Sequence, residues 1–213
     1  MKIRVAVLGA GNMGTAMAQM AAEAGCEVRL WDYNPATIED IRRKGENIGF
    51  LPGIKLLPNI APEADMDKAV SGADIIIMAV ASPYIRKVTA ALAKVIKGKP
   101  VIGHVVKGLE EGTFLTMHEV MQSELPLKYR SLVVTITGPS IAKEMASGMP
   151  TAVIASGPDR RSRELVSKAL TSDTFKVGTS ADFKGAGIAS ALKNIYAIAH
   201  GMCDGLKYTM NAK

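Results

Sequence analysis

The chain has 213 residues, of which 48% are apolar, so it can bury one sizeable core but is too short for two domains of average size. Its net charge of +6 comes from scattered lysines and arginines without an accompanying aromatic-basic motif, which favours a small anionic ligand and no nucleic-acid partner. No apolar run approaches the ~18 residues that a membrane-spanning helix needs, and no zinc-ligand spacing occurs, so we expect neither a membrane span nor a metal site. Cys26 and Cys203 lie far apart in separate apolar segments, which favours reduced thiols and a cytoplasmic location.

Short apolar runs alternate with helical patterns from the N-terminus to about residue 180. We predict strands at 3–8, 27–31, 73–80, 101–106, 132–136, 151–155 and 175–177, and helices at 12–24, 35–44, 83–96, 114–123, 140–146 and 159–170. Asn34 as a cap and Pro35 in the first turn mark the start of the second helix. Strands that alternate with helices indicate an α/β fold with a doubly wound, mostly parallel sheet.

The last segment of the chain has a different pattern. From Ala181 onward no strand pattern returns, and apolar residues such as Ile188, Leu192, Ile195 and Met202 recur at helical spacing. We therefore predict an α/β domain at 1–180, followed at 181–213 by a long amphipathic helix that begins a truncated, all-helical domain. About thirty residues cannot form a core of their own, so we expect other protein to cover the apolar face of this helix.

A glycine-rich turn follows the first predicted strand. Residues 9–14 read G-A-G-N-M-G, which fits G-x-G-x-x-G and lies between a strand and a helix. Gly9 allows the tight turn, Gly11 lets the backbone approach a pyrophosphate, and Gly14 lets the helix pack closely on the strand. The helix N-terminus adds unpaired N–H groups that favour phosphate. The alternative is a glycine-rich turn without a ligand, but the context favours a dinucleotide-binding Rossmann domain.

An acidic residue supports this interpretation. Asp32 ends the second predicted strand, about 20 residues beyond the glycines, where a carboxylate accepts the ribose hydroxyls of the cofactor. A carboxylate at that place repels a 2′-phosphate, so we expect NAD rather than NADP as the cofactor. The alternative, an ordinary turn residue at a strand end, is credible for Asp32 alone and poor in combination with the glycines.

With these motifs the chain resembles the NAD(P)-dependent glycerol-3-phosphate dehydrogenase family. The matching segments beyond the glycine loop are NIGFLPGI at 47–54, KGLE at 107–110, GPSIAKE at 138–144, GMPTA at 148–152 and ALKNIYAIA at 191–199. The resemblance implies an NAD-dependent dehydrogenase that transfers a hydride reversibly between NADH and dihydroxyacetone phosphate, forming glycerol 3-phosphate. The small anionic substrate that it implies agrees with the positive charge of the chain.

The resemblance also implies roles for individual residues. Lys193, followed by Asn194 in the matching Lys-Asn pair, is the proton donor and acceptor, and Lys107 contacts both substrate and cofactor. The other implied contacts are Gly138 and Ser140 with the substrate, and Asn12, Met13 and Ala142 with the dinucleotide.

Elementary chemistry agrees with two lysines in the site. Reduction of a ketone needs a proton for the developing alkoxide, and a lysine ammonium supplies it. A free lysine has a pKa near ~10.4, so a second cation or burial helps it to cycle near neutrality. Lys193 shares a helix face with small and polar residues, which would admit a flat nicotinamide; the alternative is a solvated stripe on a surface helix. Among the histidines we interpret His104 as a hydrogen-bonded core residue and His118 as a helix-surface residue.

The resemblance stops after the first helix of the family's C-terminal domain. The family's aspartate partner of the catalytic lysine and its Arg-Asn clamp for the substrate phosphate have no counterpart in the 213 residues, and the segment 185–190 lacks the family's glutamate. We therefore expect a fragment or an incomplete subunit, in a homo-oligomer or with a second chain that carries the helical domain. Two alternatives stay open: a catalytically inactive NAD(H)-binding module, and a related dehydrogenase with another small substrate.

Overall fold

Strands and helices alternate along residues 2–212, the part of the chain that the computed structural model describes. The strands are β1 (Arg4–Leu8), β2 (Glu27–Trp31), β3 (Ile60–Glu63), β4 (Ile75–Met78), β5 (Val101–His104), β6 (Val133–Thr137), β7 (Thr151–Ser156) and β8 (Phe175–Ser180). The helices are α1 (Asn12–Glu23), α2 (Pro35–Lys44), α3 (Met66–Val70), α4 (Ile85–Val95), α5 (Met117–Glu124), α6 (Leu127–Arg130), α7 (Ala142–Ala146), α8 (Arg160–Leu170) and α9 (Phe183–Gly205). Short 3₁₀ turns cover Ser82–Tyr84 and Met210–Ala212.

All eight strands form one sheet in the order β3-β2-β1-β4-β5-β6-β7-β8. Every neighbouring pair is parallel except β6 and β7. The first six strands have the order of a Rossmann sheet, so the predicted fold is confirmed. The order reverses between β1 and β4, and ligands of such sheets bind in the crevice beyond the carboxyl ends of the strands at that point.

The central strands are apolar on both faces because helices cover both sides of the sheet. Along β1, Val5 and Val7 face the cluster formed with α1, α7 and α8, whereas Ala6 and Leu8 face the cluster formed with α3 to α6. The alternation follows from the two-residue repeat of a strand. The result is a rigid three-layer core that fixes the loops at its carboxyl edge.

Two regions differ from the sequence prediction. The predicted strands omit β3, because Pro62 interrupts an already short run; β3 lies at the sheet edge, where a missing N–H is tolerated. The predicted helices omit α3 and α6, which have five and four residues and so carry no readable periodicity. The side chain of Asp65 caps α3 by accepting the N–H of Asp67 at 2.9 Å.

The predicted C-terminal helix is present as α9, which has 23 residues. Asp182 caps its start by accepting the Gly185 N–H at 2.8 Å. Of its residues only Gly187 and Ser190 are buried, while the side chains of Ile188 and Ile195 are 50% and 62% exposed. Of the described helices, none is long and apolar enough to cross a membrane.

Candidate active site

The glycine loop (residues 9–14) joins β1 to α1 at the carboxyl edge of the sheet. Gly9 has a φ of +110°, and a Cβ there would lie 2.8 Å from the carbonyl oxygen of Ala79. A Cβ at Gly14 would overlap the Gly9 carbonyl oxygen, so both glycines are required by packing. A Cβ at Gly11 would meet no atom within 4 Å. The backbone at Gly11 is therefore open to a ligand. It lies directly before α1, whose N-terminus has no side-chain cap.

Two buried side chains hold the glycine loop in place. Asp32 accepts the Ala10 N–H through Oδ2 at 2.8 Å and the Asn34 N–H through Oδ1 at 3.0 Å. Asn47 donates from Nδ2 to the Ala10 carbonyl oxygen at 2.7 Å and to Thr15 Oγ1 at 2.8 Å. The backbone N–H and the backbone carbonyl oxygen of Ala10 are therefore both hydrogen-bonded to side chains. Asn47 was not singled out from the sequence, since one asparagine within a loop carries no spacing signal.

A cleft of about 540 Å³ lies beside this loop. Its lining includes Gly9, Gly11 and Asp32 at the ends of β1 and β2, and residues 79–81 after β4. The exposed tyrosines Tyr33 and Tyr84 also line it. The cleft lies at the strand-order reversal and has mostly apolar walls with a few polar groups, as expected for the adenosine half of a dinucleotide.

The two lysines expected in catalysis lie within electrostatic reach of each other. Lys107 follows β5 at the same edge of the sheet and is half-buried, whereas Lys193 is exposed on α9. Burial, and then the positive charge of Lys193, lower the pKa of Lys107. The interaction shows that the fold brings together two cations separated by 86 positions in the sequence. Asn194, the next residue on α9, is exposed.

Comparison with known proteins identifies the family. Residues 4–162 match the family described as NAD-dependent glycerol-3-phosphate dehydrogenase N-terminus, and residues 182–213 match the corresponding C-terminus family. The first match alone covers well over half of the chain. The chain belongs to the NAD-dependent glycerol-3-phosphate dehydrogenase family. The resemblance inferred from the sequence motifs is thereby confirmed.

Relatives of this family match along almost the whole chain. The glycerol-3-phosphate dehydrogenase [NAD(P)+] of Bacillus subtilis is 41% identical over 210 residues, which are 99% of this chain and 61% of that protein. The crystal structure of glycerol-3-phosphate dehydrogenase from Coxiella burnetii has a TM-score of 0.86 at 31% identity, covering 99% of this chain and 63% of that one. A ketopantoate reductase from Ralstonia eutropha, with a TM-score of 0.65 at 20% identity, covers 88% of this chain and 59% of its own and shares the fold. The chain spans less than two thirds of the length of each of these proteins.

The other residues that the glycerol-3-phosphate dehydrogenase resemblance singles out lie around the same edge of the sheet. Asn12 is exposed and Met13 half-buried in the first turn of α1, and α7, which begins at the buried Ala142, packs against α1. Gly138 follows β6, where a Cβ would lie 2.8 Å from the Ala152 carbonyl oxygen, and the Ser140 hydroxyl donates to the Gly138 carbonyl oxygen at 3.4 Å. Packing alone therefore explains Gly138. Their proposed contacts with substrate and cofactor remain predictions.

A buried pair of histidines corrects one interpretation and confirms another. His104 is a core residue, as predicted, and its Nε2 is hydrogen-bonded to Thr135 Oγ1 at 2.9 Å. His118 was expected on a helix surface, which is wrong: it is 1% exposed, and its Nδ1 is bonded to the same hydroxyl at 3.0 Å. Its ring also stacks on Phe183, with centroids 4.4 Å apart, because α9 crosses over α5. The sequence pattern of α5 does not reveal that another helix, α9, covers His118. Within residues 2–212 no group of three potential metal ligands occurs.

Proposed function

We propose that the chain binds a nicotinamide dinucleotide and, in a complete assembly, catalyses the reversible reduction of dihydroxyacetone phosphate to glycerol 3-phosphate. The observation that carries this proposal is that the half-buried Lys107 lies at the same sheet edge as the glycine loop and within electrostatic reach of Lys193. Membership of the glycerol-3-phosphate dehydrogenase family supports it. Two ammonium groups also suit an anionic, phosphorylated substrate.

The residues at the glycine loop fit a dinucleotide. Gly11 has open space where a side chain would stand, and the uncapped N-terminus of α1 offers N–H groups to a pyrophosphate. Each carboxylate oxygen of Asp32 already accepts one N–H, and the remaining lone pairs accept ribose hydroxyls. Its negative charge disfavours a 2′-phosphate, so we propose a preference for NAD over NADP. When bound, NADH supplies the hydride that reduces the carbonyl carbon.

The two lysines divide the remaining work. Lys193 donates a proton to the alkoxide oxygen that develops in the reduction and accepts one in the reverse direction. Lys107 holds the substrate oxygen by charge and hydrogen bonding, and its lowered pKa eases exchange of its own proton. Gly138, Ser140 and Asn194 complete the substrate site in this proposal.

The assembly and its location belong to the same proposal. The apolar side chains that α9 exposes are covered by a second copy of the chain or by a second chain with a helical domain. We propose that this assembly works in the cytoplasm, without a nucleic-acid partner. The mass of the purified native material tests the proposed assembly, because a monomer of the 213-residue chain alone contradicts that assembly.

The cofactor preference is tested by fluorescence titration with NADH and NADPH. We expect tighter binding of NADH to the unaltered chain. The variant Asp32→Asn removes the charge and keeps an acceptor for the Ala10 N–H, so the difference between the two affinities should narrow. Equal affinities in the unaltered chain would show that Asp32 does not face the ribose.

Turnover separates the enzyme from the binding module. The enzyme proposal expects the native assembly to oxidise NADH when dihydroxyacetone phosphate is added, with little turnover by the isolated chain. An inactive module expects NADH binding without oxidation in either preparation. A related dehydrogenase expects oxidation with another small ketone and none with dihydroxyacetone phosphate.

A further inference from the structure

Arg86 on α4 joins two neighbouring segments through its guanidinium group. Its Nε donates to Glu110 Oε1 and its Nη2 to Glu110 Oε2, both at 2.7 Å, in a two-point contact. Its Nη1 donates to Ser123 Oγ at 3.1 Å and binds the carboxylate of Glu124, both near the end of α5. Two-point contacts between arginine and carboxylate fix orientation as well as distance.

Glu110 lies in the loop that carries Lys107, which we call the lysine loop (residues 105–116). The Glu110 N–H donates to the Leu115 carbonyl oxygen and the Phe114 N–H to the Glu110 carbonyl oxygen, both at 2.9 Å. The Thr113 hydroxyl donates to Glu110 Oε2 at 2.6 Å. The hydrogen bonds from Arg86, and then from Thr113, lower the pKa of Glu110 to about 2, so its carboxylate stays ionised in any ordinary buffer. Glu110 is thus the junction between the internal bonds of the loop and Arg86.

The position of Lys107 needs such support. Its ammonium group is half-buried and lies near the like charge of Lys193, and both factors oppose its place in the site. The next residue, Gly108, has a φ of +115°, and because glycine has no Cβ the backbone can also adopt many other conformations there. Contacts elsewhere in the loop must therefore offset the repulsion and the lost hydration of Lys107.

We propose that Arg86, acting through Glu110, is a positioning residue that holds the lysine loop and with it the half-buried place of Lys107. The inference rests on the proposed function, in which the two lysines act on one substrate. Arg86 and Glu110 are not among the described residues that line the cofactor cleft. Their charged groups are already bonded to each other and to Thr113, so we assign them an indirect effect on the reaction, through the place of Lys107.

Glu124 provides a matched control for this proposal. It is a second carboxylate bound to Arg86, but it belongs to α5 and has no bond to the lysine loop. If Arg86 only ties α4 to its surroundings, then Glu110→Gln and Glu124→Gln should have similar consequences. If Arg86 positions Lys107, only Glu110→Gln should change the surroundings of that lysine.

The test is the pKa of Lys107, followed by NMR in the full chain after ¹³C-methylation of its lysines, with Lys107→Arg to assign the signal. In Glu110→Gln the loop loosens and Lys107 gains water and distance from Lys193, so its pKa should rise towards the ordinary value of lysine. Direct loss of the Glu110 charge would lower that pKa instead, so the sign of the shift separates the two causes. Glu124→Gln should leave the signal unchanged, and Arg86→Lys, which keeps the charge without the two-point contact, should shift it upward.

An unchanged or lowered pKa of Lys107 in folded Glu110→Gln would overturn the proposal, as would an equal rise in Glu124→Gln. Should Glu110→Gln fail to fold, Arg86→Lys decides alone by the same criterion. NADH titration of the same samples keeps the two proposals separate. Absence of NADH binding by the unaltered chain refutes the proposed function, whereas the NMR result judges the positioning role by itself.

Discussion

The glycine-loop end of the sheet and the helix α9 are built very differently. At the glycine loop, buried Asp32 and Asn47 satisfy the peptide groups of Ala10, and glycines fill the positions where no side chain fits. Along α9, the side chain of Lys193 and most of those that follow it are exposed. The contacts that hold α9 lie near its start, where Phe183 stacks on His118 and where a Cβ at Gly187 would lie 3.4 Å from the Thr116 side chain.

The contrast indicates how the work is divided. A loop whose Ala10 backbone groups are already held by side chains needs no rearrangement to bind a dinucleotide, so little affinity is lost to ordering. Lys193 instead lies in water, where an ammonium group stabilises a developing negative charge much less than in a dry site. In the proposed function, the cofactor site is therefore held by contacts among the described residues, while catalysis by Lys193 depends on further protein that covers α9.

The largest effect is expected at Lys193. In the native assembly, Lys193→Met should lower kcat by a factor on the order of 10² to 10⁴, the usual range for the loss of a general acid–base group. In the isolated chain, where Lys193 is exposed, the same substitution should change the free energy of unfolding by less than about 0.5 kcal/mol. Lys184→Met, at another exposed lysine of α9, is the matched control. A normal kcat in Lys193→Met contradicts the assignment of the proton donor.

The next largest effect tests the rigid half of the comparison. Asn47→Ala removes the 2.7 Å bond to the buried Ala10 carbonyl oxygen, which keeps only the 3.4 Å bond from the Thr15 hydroxyl, and should cost about 1–3 kcal/mol of stability. NADH should also bind more weakly, by a factor on the order of ten, or about 1.4 kcal/mol. Asn59 is the control, since its side chain makes two similar bonds, to Ala22 and Cys26 at the other end of α1. Asn59→Ala should lose stability in urea unfolding and keep the NADH affinity of the unaltered chain. If Asn47→Ala binds NADH as tightly as Asn59→Ala does, Asn47 has no role in binding.

A smaller, pH-dependent effect tests how α9 is seated. Burial, and then the charge of the neighbouring His118, lower the pKa of His104 to about 3. Burial also lowers the pKa of His118, to about 4. Between about pH 4 and 6.5 the unfolded chain therefore binds protons that the folded chain does not. Stability should fall as the pH falls through this window, by on the order of 1.4 kcal/mol per pH unit for each histidine.

The variant His118→Phe keeps a ring against Phe183 and removes one titrating group, so it should flatten this dependence by about half in urea unfolding at several pH values. His200→Gln, on the exposed part of α9, removes a histidine without touching the buried pair. A slope that His118→Phe leaves unaltered would show that the buried pair does not govern the acid sensitivity.

The parts of the molecule that follow local rules were predictable from the sequence. The apolar run before Gly9, the cap at Asn34 and the glycine spacing each act within a few residues, so β1, α2 and the glycine loop were located correctly. The short edge strand β3 was missed, because a four-residue segment that contains a proline such as Pro62 looks the same in sequence whether it is an edge strand or a loop. Local patterns therefore locate the strand, turn and helix that form the cofactor site, but not the short strand at the edge of the sheet.

The contacts between distant segments were not predictable from residue patterns. Asn47 reaches the glycine loop across 37 positions, Arg86 reaches Glu110 across 24, and neither spacing has a periodic signal. His118 appeared to be a surface residue because the helix that covers it begins 65 positions later, at Phe183. Lys107 and Lys193 were paired only through the family resemblance, and their electrostatic interaction is a consequence of the assembled fold.

Amide hydrogen exchange of the 213-residue chain, measured with and without saturating NADH, tests the central claim most directly. The claim is that a preformed dinucleotide site lies over the glycine loop and that α9 is not part of it in the isolated chain. NADH should increase protection in peptides spanning residues 9–15 and 31–34 and leave those spanning 195–205 unchanged. Unchanged exchange at the glycine loop, or protection confined to α9, would contradict the account.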